Sequence, residues 1–188
     1  MATWRKLRPL RTLDFDCENR PLSYLGQDFT TAEITAIGWA WIGEKPYYVL
    51  CLGDVPLRTM LLGFVAAYIQ ADLIVGHNIR RHDLPMLNGM LLEQGLAPLH
   101  PKMTTDTYLD LKRRSGISSS QANLAETLGV RSAKFGMSTP KWRSANRLSP
   151  EGIELTRKRV TADVKQNIAL RAELLKRHWL KPPRVWVP

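Results

Sequence analysis

The chain has 188 residues, 44% apolar and 23% charged, and its 27 Lys and Arg outnumber its 17 Asp and Glu to give a formal net charge of +10. This ordinary globular balance suits one domain burying roughly 70% of its unfolded surface, while the lack of any run of ~18 apolar residues excludes a transmembrane helix. Two cysteines, Cys17 and Cys51, lack zinc or C-x-x-C spacing and exclude a disulfide framework.

Residues 1–10 read as a basic arm with no apolar signal core, so a cytoplasmic protein is the simplest expectation. The excess positive charge favours a polyanionic partner through counterion release; a merely soluble basic domain is the bland alternative. The run 11–16 is strand-like. Residues 34–42 and 47–52, both β-rich, flank a Gly/Pro turn and predict a hairpin. A helix is predicted over 57–70, with Leu61, Leu62, Val65 and Ile69 as its apolar stripe. A short buried strand at 72–75 leads into a turn at 76–78. The next helix, 83–94, places Leu84, Leu87, Leu91 and Leu92 on one side and stops at Gly95. Residues 102–111 suit a strand and the start of a helix, and 118–129 a capped helix closed by Gly129. The basic, aliphatic-poor stretch 131–149 reads as a long loop. The last helix opens at Ser149 and Pro150 and runs to about His178, with Val160, Val164, Ile168 and Leu175 as its stripe. Residues 181–188 form an extended tail. Strands first, then strands alternating with helices, argue an α/β fold with a mixed sheet.

Four carboxylates stand out. Asp16 and Glu18 lie two apart at the end of the first strand, so their side chains share a face, with Asp14 one step behind. Asp83 opens a helix, and Asp163 sits within the apolar stripe of the last helix. Asp16, Glu18 and Asp83 each have a plain structural reading alone, a polar strand end or an acid favoured at a helix start; Asp163, at the buried edge of its helix, calls for a partner or a metal. Together they suit hard, oxygen-loving cations such as magnesium or manganese. Two such ions ~4 Å apart serve phosphodiester hydrolysis.

The ordered set resembles the DEDD (DnaQ-like) 3′–5′ exonuclease superfamily. Residues 13–18 (LDFDCE) resemble its first motif, and 76–87 (GHNIRRHDLPML) its second, in the version found in family B DNA polymerase proofreading domains. Residues 160–167 (VTADVKQN) resemble its third. The hairpin 34–52, residues 105–107 (TDT) and 124–129 (LAETLG) match its supporting parts. The resemblance covers about residues 11–178 of a single domain. It implies an RNase H-like three-layer fold, a mixed sheet of an antiparallel hairpin and parallel strands flanked by helices. It also implies two divalent ions, Mg2+ or Mn2+, held by Asp16, Glu18, Asp83 and Asp163. The implied substrate is a single-stranded or frayed 3′ end, DNA ahead of RNA, released as nucleoside monophosphates, with polymerase or other replication and repair proteins as partners.

The third motif departs from the family, which carries His five residues, or Tyr four residues, before the last Asp. Lys158 and Arg159 stand there instead. Arg159 cannot act as a base; at four residues from Asp163 it shares that helix face and could neutralise a carboxylate or grip a phosphate. Lys158 is the expected replacement, as base or phosphate electrophile, against the plain reading of a solvated lysine. His82 replaces the usual Phe before Asp83, as a packing substitute or a ring near the substrate. Asn78 in the second motif is an expected nucleic-acid contact. So are Lys141, Trp142 and Arg143, in a loop that mixes basic residues with stacking rings, and whose members include Lys134 and Phe135. Residues 112–114 add basic charge, and Tyr24, Leu25 or Phe29 could wedge a terminal base pair. The expected function is a metal-dependent 3′–5′ exonuclease. The alternatives are a relative that binds nucleic acid without cutting it, an RNA 3′-exonuclease, or an accessory subunit of replication or repair.

Overall fold

The computed structural model describes residues 8–22, 32–112, 114, 116–131 and 135–188. The expected wedge residues Tyr24, Leu25 and Phe29, most of the basic arm, and Arg113 and Lys134 lie outside them. Six strands form one sheet in the order β3-β2-β1-β4-β5-β6. They are β1 (Thr12–Pro21), β2 (Ala32–Trp41), β3 (Tyr48–Cys51), β4 (Leu73–Gly76), β5 (Lys102–Asp106) and β6 (Arg184–Trp186). β1, β4 and β5 run parallel; β2, β3 and β6 pair antiparallel with their neighbours. This is the α/β mixed sheet of an RNase H-like fold.

The helices are α1 (Leu57–Gln70), α2 (Asp83–Glu93), α3 (Thr107–Leu111), α4 (Gln121–Thr127), α5 (Thr139–Asn146) and α6 (Pro150–Lys176). The two sheet faces follow from strict alternation in β1. Leu13, Phe15 and Cys17 enter the main core with Phe64 of α1 and Leu84 and Leu87 of α2. Asp14, Asp16 and Glu18 take the alternate positions, toward α6. On β2, the positions opposite these carboxylates are Ala40, Gly38 and Ala36. Small residues there let α6 come close: a Cβ on Gly38 would lie 2.9 Å from a Val160 methyl. The helix therefore runs directly over the carboxylate face.

Several expectations are corrected. β1 does not end at Asp16 but continues to Pro21, with an irregularity between Glu18 and Asn19. The stripe of α1 is Met60, Leu61, Phe64, Ala67 and Tyr68, whereas Leu62 and Ile69 are exposed. That helix is apolar on most sides, so periodicity alone does not choose a face. On α2, Met90 is buried and Leu92 is exposed. On α6 the buried face holds Val160, Asp163, Val164, Asn167, Leu170 and Leu174, while Leu175 is exposed; polar residues interrupt the true stripe and hide it. Residues 131–149 are not all loop, because α5 occupies Thr139–Asn146. α5 owes its place to tertiary contact, with Ala145 buried and the Asn146 carbonyl accepting from Arg20 Nη1 at 2.9 Å. The extended C-terminal segment is paired as β6 along β5. Cys17 and Cys51 are both free and buried.

Candidate metal centre and active site

The site lies where β1 outruns β4. Parallel pairing between them stops at Asp14 and Val75, so beyond that point β1 has β2 on one side only. Open α/β sheets place ligands at such strand ends. Asp83, the first residue of α2, fills the gap. Its Oδ1 accepts from the Cys17 backbone N–H at 3.0 Å, in the direction where a further β4 residue would have bonded. Asp16, Glu18 and Asp163 each offer a carboxylate oxygen within 4.8 Å of the others. Glu18, Asp83 and Asp163 are buried, and Asp16 is partly exposed.

Crowding of like charges out of water shows in the titration of the group. Asp16 is pushed well above the ordinary carboxyl range, first by burial and then by Asp83, Glu18 and Asp163, with Arg159 opposing. Asp83 is pushed up to about 7, again by burial first; the Cys17 and Asp83 amides oppose the shift, and Asp106 and Glu18 add to it. A cation answers this electrostatic demand. Among the described residues the cluster's donors are carboxylate oxygens, a set that could hold a hard divalent cation.

Of the residues singled out from the sequence, Arg159 is drawn in most tightly. Its Nε lies 3.1 Å from Glu18 Oε1 and 2.8 Å from Asp163 Oδ2. Its Nη1 donates to the Phe135 carbonyl at 2.8 Å. Lys158 is exposed on α6, and five residues from Asp163 correspond to roughly 140° around a helix. His82 is exposed at the cap position of α2. Asn78 adopts a left-handed conformation with φ 69°, which Asn tolerates better than most residues. Lys141, Trp142 and Arg143 lie on α5, the first two partly buried and Arg143 exposed. Lys141 Nζ sits 5.0 Å from the Phe135 ring centroid, linking that helix to the segment Arg159 holds.

Sequence reasoning does not assign the contacts that support the site, although it notes residues 105–107 and Asp14. Asp106, fully buried, accepts from the backbone N–H groups of Asn78 (2.9 Å), Arg80 (3.0 Å), Tyr108 (3.1 Å) and Leu109 (3.0 Å), so it fixes the second-motif turn and caps α3. Asn167 Nδ2 donates to Asp14 Oδ2 at 2.6 Å. Thr107 Oγ1 donates to Asn167 Oδ1 at 2.9 Å and lies 2.9 Å from His77 Nδ1. Gln121 Nε2 donates to the Asp163 carbonyl at 2.8 Å. Burial pushes Asp14 well up, with the Asn167 bond and the Arg171 charge opposing; Asp14 thus belongs to the support. One available signal was helical spacing, since Asn167 lies four residues beyond Asp163 on the same face.

No family model matches the chain, and no curated protein matches it by sequence. Among solved structures it is similar to the family B DNA polymerase from the hyperthermophilic archaeon Pyrobaculum calidifontis, with a TM-score of 0.72 at 20% identity. The match covers 89% of this chain and 25% of that one, so the chain spans about a quarter of the polymerase's length. At that identity the likeness shows the fold: an α/β domain of the kind found within a family B DNA polymerase.

Proposed function

We propose that the protein is a metal-dependent 3′–5′ exonuclease acting on the 3′ ends of nucleic acid, DNA ahead of RNA and single strands ahead of duplex. The observation that carries this reading is the convergence of Asp16, Glu18 and Asp163 within 4.8 Å beside a buried Asp83. Such carboxylates repel unless a cation neutralises them. Bound divalent ions supply activation of a water and stabilisation of the leaving 3′ oxygen. The water oxygen attacks phosphorus and gives up a proton, the P–O3′ bond breaks with O3′ gaining a proton to become a hydroxyl, and a nucleoside 5′-monophosphate leaves. Asp16, Glu18, Asp83 and Asp163 orient the reacting centre. Lys158, exposed on the helix that carries Asp163, holds the phosphate as an ammonium; only in its neutral form does it take the water's proton. Asn78, His82, Lys141, Trp142 and Arg143 grip the strand. The likeness to a polymerase and the net charge of +10 support a nucleic-acid substrate and work beside polymerase or other replication and repair proteins.

A second reading, a protein that binds nucleic acid without cutting it, is favoured by the ion pairs of Arg159, which already neutralise part of the cluster. The test is incubation of 3′- and 5′-labelled single strands, DNA and RNA, with magnesium, manganese or chelator. Monophosphate release that needs a metal and is lost in Asp16→Asn and Asp163→Asn supports the enzyme. Tight, salt-sensitive binding with no release supports the second reading.

A further inference from the structure

Arg159 is a fixed cation seated among the ligands of the proposed metal centre. Its Nε is 2.8 Å from Asp163 Oδ2 and 3.1 Å from Glu18 Oε1, and its Nη1 is anchored on the Phe135 carbonyl. The side chain is only 15% exposed, and a guanidinium stays charged at any working pH. A magnesium-like ion binds carboxylate oxygens at about 2.0–2.1 Å, so an ion bridging these same two oxygens would need the space the guanidinium fills. Charge gives the same answer. Four carboxylates, fully ionised, balance two divalent ions; with Arg159 in place, a second divalent ion would leave the centre net positive.

We infer that Arg159 takes the place of one of the two cations, so that the centre binds a single divalent ion. This inference rests on the metal-centre reading above and replaces the two-ion count. The guanidinium then supplies one positive charge where a second ion would have supplied two, and ties the centre to the Phe135 segment beside α5.

Counting bound Mn2+ by electron paramagnetic resonance of the free ion, on the full chain, tests it. The expected result is one ion per chain for the wild type and two for Arg159→Gln, which removes the charge at similar length. Any wild-type count other than one overturns the inference, and this measurement does not depend on the variant folding. A folded Arg159→Gln that still binds one ion also overturns it. Zero ions in both proteins removes the metal centre itself, so the two failures are distinguishable. Circular dichroism of the variant confirms that like folds are compared.

Discussion

Gly152→Ala is the sharpest test of how α5 is held. Gly152 is buried in the first turn of α6, where its N–H bonds Ser149 Oγ at 3.1 Å. A Cβ built there lies 2.1 Å from the Ser144 carbonyl oxygen, 2.4 Å from its carbon and 2.7 Å from the Ala145 nitrogen. All three are backbone atoms, and the end of α5 is further pinned by Arg20 on the Asn146 carbonyl. Relief therefore requires a main-chain shift of about 1 Å or more. Overpacking of this kind costs about 1–3 kcal/mol, and an unyielding backbone places it near the upper end. Alanine returns roughly 0.5–1 kcal/mol through its better helix propensity. The net loss is about 2 kcal/mol, or a fall of roughly 4–8 °C in Tm at this size. Gly89→Ala is the control: Gly89 is exposed in α2 with nothing within 4 Å of its Cβ, so this variant should gain roughly 0.5–1 kcal/mol. Urea and thermal unfolding of both variants read the difference. A Gly152→Ala protein as stable as wild type would refute the close packing of α5 on α6. Strand binding should weaken in the same variant, because α5 carries Lys141, Trp142 and Arg143.

The remaining predictions concern the site. Asp83 titrates at about 7 against an ordinary 3.8; a raised folded value gives stability that is full below about 3.8 and lost as pH rises through about 7. Metal-free protein in chelator should therefore lose stability between about pH 4 and 7, by on the order of 4 kcal/mol from Asp83 alone, with Asp16 acting in the same direction and Mn2+ flattening the fall; a urea midpoint that rises over that interval would contradict this. Lys158→Ala should slow monophosphate release about 100-fold or more; a rate left intact across pH would leave Lys158 a solvated helix residue. Lys141→Ala and Arg143→Ala should each lower the salt slope of strand binding by about 1, and Trp142→Ala should cost about 1–3 kcal/mol without changing that slope. Fluorescence polarisation across a KCl series reads all three.

The candidate cluster was the more legible part of the sequence, for a physical reason. Asp16 and Glu18 stand out in a strand that otherwise alternates Leu, Phe and Cys, because burying carboxylates is costly, whereas Asp83 and Asp163, on helices, gained their weight from the ordered resemblance; the structure brings Asp16, Glu18 and Asp163 together. The bounds of α1 could be read as well, but not its buried face, because Leu62 and Ile69 are as apolar as the Leu61 and Phe64 that win the core. The supports were illegible because their partners are distant: Asn167 meets Asp14 across 153 positions, and Asp106 meets Asn78 across 28. α5 was hidden because only Ala145 of its residues is buried, which leaves no periodic signal.

The alternation of β1 has a consequence for how this chain can vary. Leu13, Phe15 and Cys17 serve the core while Asp14, Asp16 and Glu18 serve the other face, so one inserted or deleted residue early in the strand exchanges the two sets. Three carboxylates would then enter the apolar core, and Phe and Leu would face α6. Point substitutions at these positions can separate folding from chemistry, but a one-residue insertion or deletion cannot. A change of length is therefore tolerated outside this stretch but not early within it.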